Sequence, residues 1–84
     1  MNRYIIESPH SELDCQHALS QVNTMGFILH YEWGCKDGNH TGWAIIESDS
    51  PEEALLTVPS FIRHRAKVTK LSNYTPEDFS ENHK

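Results

Sequence analysis

Apolar residues along this chain switch repeatedly between the two-residue period of a strand and the 3.6-residue period of a helix, and that succession limits the folds open to it. Residues 3–8 read as a strand, with Tyr4, Ile5 and Ile6 ahead of Pro9. Ser11 is an N-cap, with Asp14 in place of the usual capping-box Glu or Gln. Cys15, Ala18, Leu19, Val22 and Met25 then recur at helical spacing, so the pattern predicts an amphipathic helix over residues 12–24, closed by Gly26. Residues 27–33 form a second predicted strand, with Leu29 and Tyr31 on one face and Ile28, His30 and Glu32 on the other. Residues 43–47 form a third, with Ala44 and Ile46 opposite Trp43, Ile45 and Glu47. Ser50-Pro51-Glu52-Glu53 combines a cap, a first-turn proline and a capping-box glutamate, and the helix it opens runs until Pro59. Residues 66–71 form the last strand, Thr75-Pro76-Glu77-Asp78 opens a single helical turn, and residues 80–84 read as a frayed end.

Strand, helix, strand, strand, helix, strand is the split βαβ order of ferredoxin-like α+β folds. Right-handed crossovers then give an antiparallel four-stranded sheet of order 4-1-3-2 with two helices on one face. The 84 residues hold one core, so a single domain over residues 1–74 is expected, with a short tail over 75–84. The sheet face away from the helices would carry Ile5, Ile28, Trp43 and Ile45 among Arg3, Glu7, His30, Glu32 and Glu47. A half-apolar face of this kind suits a back-to-back homodimer, and a chain this short gains a second buried face by pairing.

A net charge of −5, from 12 acids against 7 bases, argues against a dominant nucleic-acid surface. No apolar run approaches the roughly 20 residues that span a bilayer, and the N-terminus lacks a signal-peptide segment, so a cytoplasmic protein with no membrane partner is expected. In a reducing compartment two cysteines are free thiols or ligands before they are a structural disulfide, although a Cys15–Cys35 bridge stays open if the Cα atoms are close. No nucleophile elbow surrounds Ser8, Ser11 or Ser48, and no helix follows Gly34, Gly38 and Gly42, which removes hydrolase and phosphate-loop readings.

The segment from Gly34 to Gly42 carries more than its Asp37-Gly38 turn needs, because it adds Cys35 and His40. Their spacing mirrors that of His10 and Cys15 upstream. In the expected topology the end of strand one, the start of helix one, the end of strand two and the start of strand three share one sheet edge. His10, Cys15, Cys35 and His40 fall at those four places, and two thiols with two imidazoles suit a divalent transition metal such as zinc or nickel. The spacings match no zinc-finger or ribbon signature, and Cys15 on the apolar helix face is equally a core cysteine. A second candidate site lies on the open face, where His30 would act as a base oriented by Glu7 or Glu47, making the chain a small-molecule enzyme or binder. The bland reading of those groups is ordinary ion pairing with Arg3. Trp33, Trp43 and Tyr31 would wall a ligand pocket or simply cover the hairpin.

Ile5-Ile6-Glu7 ending strand one, Leu29-His30-Tyr31 in strand two, and Ile46-Glu47-Ser48 before the Ser50-Pro51-Glu52-Glu53 helix start carry a resemblance. Over nearly its whole length the chain resembles small ferredoxin-like proteins of the dimeric α/β-barrel superfamily, including little-characterised nickel-binding members. The resemblance implies a homodimer with sheets face to face, a metal or small ligand near the dimer face, and His30 with the strand-end glutamates as positions to match. The segment from Cys35 to His40 departs from that pattern and shifts the expected ligands towards the sheet edge. The same superfamily includes isomerases and cofactor-free monooxygenases, which keeps catalysis open, and a module that only meets another protein is the third reading.

Overall fold

The computed structural model describes residues 1–80. Its strands are β1 (Asn2–Pro9), β2 (Tyr31–Trp33), β3 (Thr41–Ser48) and β4 (Lys67–Lys70), and its helices are α1 (Cys15–Thr24), α2 (Pro51–Leu55) and α3 (Pro76–Ser80). The architecture is α+β. Four antiparallel strands form one open sheet of order β2-β3-β1-β4, the predicted 4-1-3-2 order read from the other edge. The expected fraying of residues 81–84 lies outside the described residues.

Alternation along β1 and β3 assigns the two faces of the sheet. Tyr4, Ile6 and Ser8 alternate with Arg3, Ile5 and Glu7, and Gly42, Ala44, Ile46 and Ser48 with Trp43, Ile45 and Glu47, the first set being buried in each strand. Ala18 and Val22 from α1, with Ala54, Val58 and Ile62 from α2 and the turns after it, close over that first face. Ile6, Ala18, Val22, Ala54 and Val58 are wholly buried, so both crossovers lie on one side of the sheet and leave the other side open.

Local chemistry explains the helix ends. The Ser50 hydroxyl accepts from the Glu53 N–H, an amide at the open start of its helix, and the Asp14 N–H is shared between the Ser11 hydroxyl and the Ser11 carbonyl. Residues 12–14 form a separate 3-10 turn, so α1 begins at Cys15 rather than at residue 12. Gly26, at φ +90°, lets the chain leave α1. Beyond α2, which Pro59 does not let continue, Arg63 donates from Nε and Nη2 to the Val58 carbonyl at 3.0 and 2.8 Å.

Strand two differs from the expectation. Ile28–His30 is a 3-10 turn and only Tyr31–Trp33 pairs with β3. Leu29, predicted to share a face with Tyr31, is 95 % exposed. The apolar run Phe27-Ile28-Leu29 imitates a strand, but Val22 and Phe27 hold the chain in a turn through the Phe27 N–H to the Val22 carbonyl. The Tyr31 hydroxyl lies 2.9 Å from Thr57 Oγ1, which itself donates to the Ala54 carbonyl, so β2 is tied to the end of α2 through a buried polar pair.

A candidate metal centre at the sheet edge

Register builds this site before any side chain is considered. β1 and β3 pair as far as Pro9 with Thr41, so one step further places His10 opposite His40, and the His10 N–H donates to the His40 carbonyl at 2.9 Å. β2 and β3 pair as far as Trp33 with Gly42, and the Gly34 N–H donates to the Thr41 carbonyl, so the chain leaves β2 beside His40 as Cys35 opens a 3-10 turn. Cys35, His40 and His10 therefore gather at the ends of three neighbouring strands. By alternation His10 and His40 belong to the helix-covered face. Cys15 begins α1 on that same face, one 3-10 turn after His10.

The loop between β2 and β3 holds Cys35 and His40 at this spacing. The Gly34 carbonyl accepts from both the Asp37 and Asn39 N–H groups, and Gly38, at φ +83°, turns the chain back. A Cβ on Gly34 would lie 2.6 Å from the Asn39 carbonyl oxygen, so glycine is required where the loop closes on itself. Gly42 serves the layer below, where a Cβ would stand 2.9 Å from the Trp33 ring. Trp33 crosses that gap, and its ring meets the edge of the His10 ring at a centroid distance of 5.8 Å.

One donor atom from each of His10, Cys15, Cys35 and His40 lies within 4.8 Å of the other three. Around a tetrahedral zinc, metal–sulfur bonds of ~2.3 Å and metal–nitrogen bonds of ~2.0–2.1 Å set neighbouring donors ~3.3–3.8 Å apart. Side-chain adjustments of about 1 Å therefore separate the present arrangement from a coordination shell. His10 Nε2 stands 3.3 Å from Cys35 Sγ, and its other nitrogen, Nδ1, is 3.3 Å from the Ser8 carbonyl. With the proton on Nδ1 donated to Ser8, the Nε2 lone pair faces the cluster, which is the usual outer support of a metal-bound histidine. His40 Nδ1 is buried with no hydrogen-bond partner among the described residues, a position at which a metal bond would satisfy the nitrogen.

Burial sets the protonation of the donors. Both cysteines are free thiols. Burial, followed by the adjacent Cys15 thiol, pushes the Cys35 thiol up to about 11. Burial also lowers the His10 imidazole below its ordinary 6.5, against the opposing effect of its bond to Ser8 and with a further lowering from His40. His10 is thus neutral and ready to donate a lone pair near pH 7, whereas the Cys35 thiol holds a proton that a divalent ion would displace.

Comparison with family models, curated proteins and solved structures returned no match. The site is read from its own geometry.

The remaining predicted site residues are placed elsewhere. Tyr31 and Trp33 belong to the helix-covered side, and Trp43 to the open face. Trp33 instead adjoins His10 of the four-donor cluster, a position signalled in the sequence only by Gly42 opposite it. On the open face His30, Glu32, Trp43, Ile5, Ala44 and Ile45 border a groove of about 430 Å³, and a neighbouring groove of about 470 Å³ brings His30 to Arg3 and Glu47. Glu7 borders neither groove, and it is opposite Trp43 in β3 and Lys67 in β4. No helix among the described residues is long and apolar enough to cross a membrane.

Proposed function

We propose that this chain is a small metal-binding protein that holds one divalent transition metal through His10, Cys15, Cys35 and His40. The observation that carries the reading is the convergence of four donors from four separate segments to within 4.8 Å. A tetrahedral set of two sulfurs and two nitrogens favours zinc, with nickel second. Two thiolates and two neutral imidazoles around a dication sum to zero charge, which a half-buried site tolerates. Because Cys15 and Cys35 retain partial exposure, the ion is within reach of exchange, as sensing, storage or delivery requires.

The same reading takes the chain as cytoplasmic, ferredoxin-like, and paired through its open sheet face in the manner of dimeric α/β barrels. Exposed Ile45 beside Ile5 and Trp43 supports that pairing. A second reading, favoured by the groove at His30, Glu32 and Trp43, is a small-molecule binding protein or enzyme with His30 as its base.

Thermal unfolding of the chelated protein, titrated with zinc and with nickel, tests both. An ion that binds only the folded state stabilises by about 2.7 kcal/mol at a hundred times its dissociation constant, and a domain of this size then melts roughly 10 °C or more higher. The rise is expected to disappear in Cys35→Ser and in His40→Ala. A rise that both variants retain moves the ion to the His30 face, and no rise at micromolar metal overturns the metal reading.

A further inference from the structure

We infer that Cys15 and Cys35 are also a site of oxidative modification, closing to a disulfide under hydroperoxides and expelling the metal as they do so. The inference rests on the metal-binding reading and adds a regulation to it. Its basis is the placement of the two thiols. They come from segments 20 positions apart, yet their sulfurs lie no more than 4.8 Å from each other, both unbridged and both partly exposed. Few side-chain movements are needed to bond them, because Cys35 sits in a short turn flanked by Gly34 and Gly38, and Cys15 occupies the first position of α1, the least restrained turn of a helix. The other two donors are imidazoles, which the oxidation leaves unchanged.

The chemistry balances with a hydroperoxide as the named oxidant. One metal-bound thiolate attacks the peroxide oxygen, the O–O bond breaks, and the leaving alkoxide or hydroxide takes a proton from water, leaving a sulfenic acid. The second thiolate attacks that sulfur, and hydroxide departs and is protonated to water. The two sulfurs lose two electrons and the O–O bond gains them. The metal keeps its oxidation state throughout. With both anionic ligands gone, the dication faces only His10 and His40 and dissociates. A dithiol reductant reverses the sequence by thiol–disulfide exchange.

Zinc-loaded protein treated with hydrogen peroxide tests this, with the released ion read by a colorimetric zinc chelator, free thiols by a thiol reagent, and the product by intact mass and peptide mapping. The expected result is one zinc released for every two thiols lost, a protein lighter by two hydrogens, and a mapped Cys15–Cys35 bridge that a phosphine reductant reopens with recovery of zinc binding. Cys15→Ser, treated alike, is expected to gain oxygen at Cys35 and to form no internal bridge. Full thiol loss with zinc retained, or a product that carries added oxygen or links two chains in place of the internal bridge, overturns the inference while leaving the metal site standing. Failure of zinc to bind before any peroxide is added overturns the metal reading and this inference with it.

Discussion

His10 Nε2 lies 3.3 Å from Cys35 Sγ, although 25 positions separate the two residues. The contact follows from strand order, because β3 lies between β1 and β2 and presents His40 to both. Three residues at the ends of three strands thus reach one point, and α1 supplies the fourth donor from above. A site assembled by register should respond as a unit.

The two indoles report on opposite faces of the sheet. Trp33 adjoins His10, and Trp43 lies on the open face. In Trp43→Phe, where Trp33 is the sole indole, zinc should change the emission and saturate at one ion per chain. In Trp33→Phe the remaining Trp43, whose ring reaches Gly34 but has no ring contact with His10, should respond less than Trp33 does. A response confined to Trp43 would place the ion at the open face.

Gly34 and Gly38 should differ when each is replaced by alanine. At Gly34 the new Cβ meets the Asn39 carbonyl oxygen at 2.6 Å, which pushes apart the two halves of the loop that hold Cys35 and His40. At Gly38 none of the described residues lies within 4 Å of the added Cβ, and the φ of +83° is what opposes a side chain. Gly38→Ala should cost about 1–3 kcal/mol in urea unfolding, as left-handed strain does, and leave zinc affinity within a few-fold. Gly34→Ala should weaken zinc by at least about 10-fold, the lower end of what disturbed outer-shell support costs. Equal affinities in chelator competition would show that the loop does not position the ligands.

The Tyr31–Thr57 pair tests the fold apart from the site. Tyr31→Phe leaves the Thr57 hydroxyl still donating to Ala54, so the loss should be about 0.5–1.5 kcal/mol. Thr57→Val leaves the buried Tyr31 hydroxyl unpaired and should cost more, about 1–3 kcal/mol. Urea midpoints should fall with unchanged slope, and zinc affinity should not move. A lost zinc site in either variant would mean that the pair governs the metal centre as well as β2.

Stability of the metal-free protein should fall at both ends of the pH scale. The His10 pKa is depressed by burial, so its contribution is present above 6.5 and is lost as pH falls through the lowered folded value. The Cys35 pKa is raised by burial and by Cys15, so its contribution is present below 9.0 and is lost as pH rises towards about 11. Melting midpoints in chelator should therefore form a plateau between those limits. Zinc should remove the alkaline decline, because a bound thiolate has no proton left to lose. A flat alkaline limb without metal would contradict the burial of Cys35.

Much of the fold can be read from short-range chemistry. Ser11, Ser50 and Pro51 announce their helices because caps act within one turn, and the faces of β1 and β3 follow from alternation because the strand period is two. The misread segment, Phe27-Ile28-Leu29, has the composition of a strand, but the Phe27 N–H bonds the Val22 carbonyl and the His30 N–H bonds the Phe27 carbonyl, which turns it away from β3. Composition cannot report that bond to the end of α1.

The sequence by itself determined which donor types exist and at which element ends they stand: His10 after β1, Cys15 at the start of α1, and Cys35 and His40 at the two ends of one glycine-rich loop. Tertiary structure alone decided that these ends meet, that Trp33 and Trp43 part to opposite faces, and that Trp33 lies under the cluster across Gly42. The physical reason is reach. Capping, turn and period preferences act over a few residues, whereas a row of ligands across three strands exists only once hydrogen-bond registers between distant segments are set, and those registers are chosen by burying Tyr4, Ile6, Ala44 and Ile46 together under the helices.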